Sequence, residues 1–413
     1  MMLHVISLKE LLMKRLLCAV FVAVAAASLG FTQDLKFDGY VNSGLGVEMT
    51  SKKDANGDTI PQILTYGVDS ERYIGRFRLN GVYTNADKTA GANFRFQVQG
   101  DGKKTGSANA PLLAYGYAWV QCFDMLTIKA GLVDDTTWQT ADVIFNDDQN
   151  EGPGALARLS PVTGLDLGFG AYTGSYSSSS NNNFLPAFQP INWDEAKYTY
   201  YASYTMDKVF RLMASYRTDA YAPGNGNAYL SANTDDEPSQ FLAELRILAV
   251  PKLTAVAVGQ VLGLQEKGGY KYSDNGRINF YETLGYSIDA FGFGLNAAQY
   301  KSNADNTDLC LRFNPWISYA LNNNSIVPRL DLVYFMGGNQ DGTNYHRRGF
   351  KQNYNKDTYV INARPSVKFN LDPKTSFEIG DSFYYQQDGK DNNGNKPDTV
   401  TTNVIYIDMV VKF

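Results

Sequence analysis

Apolar residues recur at every second position along most of this chain, in segments of about ten residues. No feature constrains the fold more. Side chains on a strand point alternately to its two faces, so a period of two specifies strands with one greasy face. In "DLKFDGYVNSGLGVEMT", Leu35, Phe37, Val41, Leu45, Val47 and Met49 take the odd positions, and Lys36, Asp38, Asn42 and Glu48 the even ones. In "VIYIDMVVKF", Ile405, Ile407, Met409, Val411 and Phe413 share one face, while Tyr406, Asp408 and Lys412 share the other with Val404 and Val410.

The pattern predicts eighteen strands, over 35–50, 72–84, 90–100, 112–121, 125–133, 154–160, 164–174, 196–206, 208–218, 239–249, 252–263, 277–289, 291–300, 308–319, 325–336, 358–369, 375–386 and 400–413. Their connections alternate between long and short. The short ones carry turn chemistry: "NADKT", "CFDM", "SPVT", "MDK", "VPK", "DAF", "LNNNS" and "NLDPK". Short turns on one side and long loops on the other specify an all-β, antiparallel, up-and-down transmembrane barrel, with periplasmic turns and extracellular loops. Tyr73 and Tyr83 share the outward face of one strand, roughly 23 Å apart along the axis. That matches the aromatic girdles of such barrels, and Tyr198, Tyr216, Tyr286 and Tyr319 also lie near strand ends. An open edge in hydrocarbon leaves backbone groups unpaired, so the last strand must meet the first.

Residues 1–30 are a separate piece. From Met13, "MKRLLCAVFVAVAAASLGFTQ" has a basic start (Lys14, Arg15), an apolar run from Leu16 to Leu29 and small residues at its end. This is the layout of a secretory signal, too short to span a membrane as a helix. Met13 serves as a translation start as well as Met1, and 31–413 is expected to be the barrel. Cys18 leaves with the signal, and the remaining Cys122 and Cys310 are expected to be free thiols near opposite faces of the membrane. The formal net charge of −5 argues against a nucleic-acid partner.

Eighteen strands close to a backbone diameter of roughly 37 Å, too wide for side chains to fill. The third long connection is expected to fold into that space. It carries an apolar group (Trp138, Val143, Ile144, Phe145) together with Asp134, Asp135, Asp142, Asp147, Asp148 and Glu151, and no Lys or Arg. The neighbouring wall is basic: Arg72, Arg76, Arg78, Arg95 and Lys129 take inward positions. An acidic loop facing a basic wall would set a transverse field across a pore. Other inward positions hold Arg158, Lys197, Arg211, Arg217, Arg246, Arg277, Arg312, Arg329, Arg364 and Lys368, against Asp38, Glu48, Asp166, Glu244, Asp289, Asp331, Glu378 and Asp408. The tally predicts a weak preference for anions.

Two stretches carry a family resemblance. "ERYIGRFRLNGVYTN" through "LLAYGYAWVQCFDMLTIKAGLVDDT" resembles the Gram-negative porins, including the phosphate-selective type, in which an Arg-bearing strand, a glycine-rich return and a "K-A-G" strand precede the constriction loop. The terminal Phe413, with Val411 and Met409 at alternating positions before it, resembles the signature that the outer-membrane assembly machinery reads. The resemblance implies passive diffusion of small hydrophilic solutes, an infolded third loop, a homotrimer in outer-membrane lipid, and Arg76, Arg78, Arg95 and Lys129 as pore-wall groups. Many such porins have sixteen strands, which is the alternative to eighteen. No regular ladder of Arg runs down the pore, so phosphate selectivity does not follow.

Enzymatic readings are weak. A Ser-His or Asp-His mechanism needs a positioned base, and the chain's two histidines are His4, in the signal region, and His346, beside two arginines in "GTNYHRRGF". "DANGD" and "DNNGN" lack the acidic residue that completes a calcium loop, so no metal and no cofactor is expected. A non-porin alternative keeps the barrel but gives the work to its long loops, as an adhesin or structural surface protein.

Overall fold

The computed structural model describes residues 34–51, 61–66, 75–100, 112–133, 152–173, 196–218, 239–264, 276–302, 309–337, 358–390, 394 and 399–413. No helix occurs among them. The strands are β1 (Asp34–Thr50), β2 (Gln62–Tyr66), β3 (Gly75–Thr84), β4 (Ala90–Gly100), β5 (Leu112–Cys122), β6 (Leu126–Val133), β7 (Gly152–Val162), β8 (Leu165–Thr173), β9 (Ala196–Met206) and β10 (Phe210–Arg217). Then follow β11 (Gln240–Ile247), β12 (Leu253–Leu262), β13 (Arg277–Ile288), β14 (Phe291–Ser302), β15 (Cys310–Tyr319), β16 (Ile326–Met336), β17 (Tyr359–Asn370), β18 (Thr375–Gln387) and β19 (Val400–Lys412).

All pairings are antiparallel between chain neighbours, and the ring closes where β1 meets β19. The long β1 is lined on its other side by two strands. Asp34 to Asn42 pair with β3, and Gly44 to Glu48 pair with β2. β2 and β3 therefore share one stave, and nineteen strands make eighteen staves (19 − 1). Each expected strand has a counterpart, and the sixteen-strand alternative is excluded. β2 is the addition: its five residues fall within a stretch the alternation assigns to a loop.

Alternation in the sequence becomes a difference in exposure. On β19, Ile405, Ile407 and Met409 are 50%, 47% and 51% exposed, whereas Val404, Tyr406 and Asp408 between them are 1%, 2% and 1% exposed. The same inversion holds around the ring: Leu45, Leu212, Phe280, Leu284, Leu332 and Phe383 are exposed, while Asn42, Ser203, Ser215, Gln260, Asn314 and Asn362 are buried. A belt of exposed apolar side chains this continuous is stable against hydrocarbon, not water. Aromatic pairs edge it. Tyr286 with Phe293 and Phe291 with Tyr319 lie near the short turns, and Phe169 with Tyr198 and Tyr200 with Tyr216 lie near the long connections. Of the two tyrosines spaced for a girdle, Tyr83 is on the outer face opposite Leu35 and Ala92; Tyr73 lies outside the described residues.

The short turns use left-handed backbone. Lys88, Phe123, Lys208, Lys252 and Asp289 have φ of 58°, 52°, 55°, 63° and 49°, and Asn322 to Asn324 follow with 48°, 54° and 70°. Asn tolerates that region better than most residues, which suits three in a row. Asp289 therefore sits in the turn between β13 and β14, not on the inner wall where strand parity put it. Cys122, at the turn end of β5, and Cys310, at the opposite, loop end of β15, form no disulfide.

The seam is fastened on both faces. Inside, the Asn42 amide donates to Asp408 at 3.0 Å. Outside, Phe413 exchanges backbone hydrogen bonds with Gly39, 3.1 and 3.3 Å long, and its ring stacks on Phe77. Gly39 has to be glycine here, because a Cβ would collide with the backbone carbonyl oxygen of Arg78 and also meet the Phe413 ring at 2.7 Å. Phe413, Val411 and Met409 all project outward from the closing strand, exposed by 44%, 37% and 51%.

Candidate functional site

The candidate site is the inner wall. Inward side chains of neighbouring strands meet across the sheet at spacings that let long polar groups interact. On β3, β4 and β5 they form a continuous lattice. Arg78 donates through Nε and a terminal nitrogen to Gln97 Oε1 at 2.9 and 2.6 Å, and its guanidinium lies 5.5 Å from the Tyr40 ring centre. Arg76 reaches the Tyr40 hydroxyl at 3.4 Å. Arg95 donates to Asn80, which donates in turn to Asp38, and the Arg95 guanidinium covers the Tyr115 ring at 4.7 Å. Trp119 donates its indole N–H to Asn93 at 3.2 Å. Tyrosine faces and amide oxygens thus hold these cations in place, and the π-faces attract them.

The Lys129 ammonium lies 5.0 Å from the Tyr117 ring centre and also lines a cavity of about 380 Å³ farther round the wall. Thr127, Leu156, Arg158, Asp166, Tyr201, Thr205 and Arg211 complete the lining. Asp166 is bound to Arg158 and to the Ser160 hydroxyl, both at 2.5 Å. Arg211 donates to the Tyr201 hydroxyl at 3.2 Å, and that hydroxyl donates to Ser203 at 2.7 Å. Three cations against one acid leave the cavity a formal charge of +2 (3 − 1).

A second basic sector lies on β15, β16 and β17. Arg329 grips Asp331 with two nitrogens at 2.6 and 2.8 Å and stacks on Trp316 at 4.4 Å. Arg364 approaches the same carboxylate at 3.6 Å. Arg312, 8% exposed, carries a shielded Nε that donates no hydrogen bond among the described residues. Again three cations stand against one acid. β7 and β16 are nine staves apart in a ring of eighteen, so the two basic sectors face each other across the lumen.

The structure therefore brings Arg76, Arg78 and Arg95 together on adjacent strands and places Lys129 in a different group, with Arg158 and Arg211. Arg72 lies outside the described residues, as do Asp134, Asp135, Asp142, Asp147, Asp148 and Glu151 of the connecting loop and its Trp138, Ile144 and Phe145. The aromatic cradles (Tyr40, Tyr115, Tyr117) and the +2 cavity were missed in the sequence. Their signal was present: each strand from β6 to β8 places one charged inward residue, and β10 adds another. No group of three or more metal-ligating side chains occurs among the described residues.

Neither a protein-family model nor a curated protein matches the sequence. Solved structures do. OccK1 (OpdK) of Pseudomonas aeruginosa aligns with a TM-score of 0.54 at 12% identity, covering 92% of this chain and 99% of its own. A BenF-like porin from Pseudomonas fluorescens aligns with 0.54 at 10%, covering 93% and 100%. OprD of Pseudomonas aeruginosa aligns with 0.52 at 10%, covering 92% and 96%. The chain has the porin-type barrel fold of these proteins over more than nine-tenths of each.

Proposed function

We propose that the protein is an outer-membrane channel through which small hydrophilic solutes diffuse passively, with a preference for anions. One observation carries the reading: an apolar belt outside and a polar, net-basic wall inside, with three cations to one acid in each of two facing sectors. A wall of that kind lowers the energy of an anion in the lumen and raises that of a cation. The structural likeness supports it. OpdK of Pseudomonas aeruginosa, TM-score 0.54 and 11% identity, was solved with vanillate, an aromatic carboxylate. Lys129, Arg158 and Arg211 around a cavity of about 380 Å³ form a resting place for a carboxylate solute. Arg76, Arg78 and Arg95 continue the basic track on β3 and β4, with β5 between. The loop 134–153, with its acids and its Trp138, Ile144 and Phe145 anchor, narrows the pore on this reading, and Phe413, Val411 and Met409 present the assembly signal.

Planar-bilayer recording tests it. Purified protein is expected to give stable ohmic steps, and a KCl gradient a reversal potential of the sign for anion preference. Replacing Lys129→Gln and Arg211→Gln together should lower the anion-to-cation ratio while keeping the steps. Silent bilayers from correctly folded protein would end the channel reading in favour of a surface-binding barrel.

A further inference from the structure

Three prolines stand within a closed wall. Pro315 on β15, Pro328 on β16 and Pro365 on β17 take outward positions on neighbouring staves, opposite Leu295, Val367 and Leu330. Proline lacks the backbone N–H that a ladder needs, and sheets confine it to edges, strand starts and bulges. A closed barrel has no edge, and here the ladders give way instead. The β15–β16 register stops at Phe313 with Tyr334 and resumes at Trp316 with Asp331. The β17–β18 register stops at Ala363 with Phe383 and resumes at Ser366 with Gly380. The first gap is patched from the lumen side, where the Asn314 amide donates to the Leu332 carbonyl at 3.0 Å.

The outer face of the same staves is dented. A groove of about 480 Å³ runs from Ile317 on β15 to Ile379 on β18, across Pro328 and Leu330 of β16 and Pro365 and Val367 of β17. Proline rings are held close to the backbone, so the wall is low between taller neighbours. Both gaps border the groove. Pro365 lies in one, and Ile317 with Leu330 is the second pair past the other. Phe291 and Tyr319, an edge-to-face pair near the short turns, lie at one end of the lining. From there the lining climbs to Pro365, five residues above Asn370 at the short-turn end of β17. At about 3.3 Å per residue and a tilt near 45°, that is about 12 Å of a band about 25 Å tall. The groove therefore spans the periplasmic half of the belt and stops near its middle, as one leaflet does.

It is continuous with the lipid-facing belt, so hydrocarbon chains are what reach it. Lipid tails are as apolar as leucine, so packing rather than a hydrophobic gain selects what sits here. A chain on a convex wall touches protein along one side. In the groove it touches floor and flanks, and an unfilled groove would leave those atoms without partners. We infer that the groove binds one acyl chain of a periplasmic-leaflet phospholipid, and that this chain buttresses the wall beside the two interrupted ladders. Pro328 and Leu330 line the groove, while the Arg329 and Asp331 side chains grip each other on the lumen side. The buttressed stretch is thus the one that carries the second basic sector. The inference needs the barrel to lie in a membrane but not that it conducts.

Native mass spectrometry of the purified protein in mild detergent tests it, with dipalmitoyl phosphatidylethanolamine as the probe. One lipid should survive collisional activation that strips the rest. Val367→Phe, which fills the groove, should lose that species; Leu330→Trp takes its place if heat-dependent gel mobility shows that Val367→Phe does not fold. Leu212→Phe, at an exposed belt position on β10, should retain the lipid. Added to lipid-stripped protein, the probe should raise the temperature of the gel-mobility shift for the parent and for Leu212→Phe, but not for Val367→Phe. A parent that holds no lipid through activation would overturn the inference. So would a groove-filled variant that keeps the lipid, or a Leu212→Phe variant that loses it, since the belt at large would then be the binding surface. A retained lipid that leaves the shift temperature unchanged would remove the buttress. A two-copy species without lipid, lost in Val367→Phe, would assign the groove to a second copy instead. Conductance is not among these readouts, so failure here leaves the channel reading standing.

Discussion

Asp372 shows how one side chain closes a turn. It lies in "NLDPK" between β17 and β18, where its Oδ1 accepts the backbone N–H of Lys374 at 2.7 Å and of Thr375 at 2.9 Å, and Pro373 fixes the chain between. The Lys374 N–H, helped by Thr375, holds this exposed carboxyl below its usual value of 3.8. A carboxyl whose folded value is depressed adds stability above its unfolded pKa and loses it as pH falls through the folded one. Asp372→Asn should therefore unfold at a lower temperature than the parent at neutral pH. The gap should close only below pH 3.8, as heat-induced unfolding followed by circular dichroism will show. A gap that persists unchanged at pH 2–3 would mean the charge is not what Asp372 contributes.

β2 poses the question of what a partial stave is for. It covers only Gly44 to Glu48 on one side of β1, whose other side is already held by β19 from Tyr40 to Thr50. Closure thus does not depend on it. Leu64→Pro, which removes a backbone donor and opposes strand pairing, should leave folding and heat-dependent gel mobility unchanged. Amide hydrogen exchange should speed up in Gly44–Glu48 and nowhere else in β1. The period of two made eighteen staves legible in the sequence because each crosses one membrane and shows one greasy face. β2 escaped because "QILTY" is too short to show a period inside a long connection. Inward arginines were legible one strand at a time, from parity. Their grouping was not, because it depends on register between strands, which no single strand encodes. Asp289 was misplaced by one residue at a strand end, where the chain leaves extended geometry.

The whole ring turns local charge into a property of the lumen. Its two basic sectors face each other from opposite halves of the wall, so the field they make is felt across the aqueous cross-section rather than at one point. How far it reaches depends on salt. The screening length is about 10 Å at 0.1 M and about 3 Å at 1 M, against a backbone radius of roughly 18 Å already narrowed by side chains. At low salt the wall charge fills most of the passage, and at high salt only a thin shell beside the arginines. Anion preference of this origin should therefore be clear in reversal potentials near 0.1 M and should fall toward parity near 1 M. Selectivity set by pore width alone would hold constant across that range. A preference for cations at low salt would assign control to the acids of 134–151 instead, since screening then weakens a field of the opposite sign. The salt series thus separates wall, width and loop as the source of selectivity in one set of recordings.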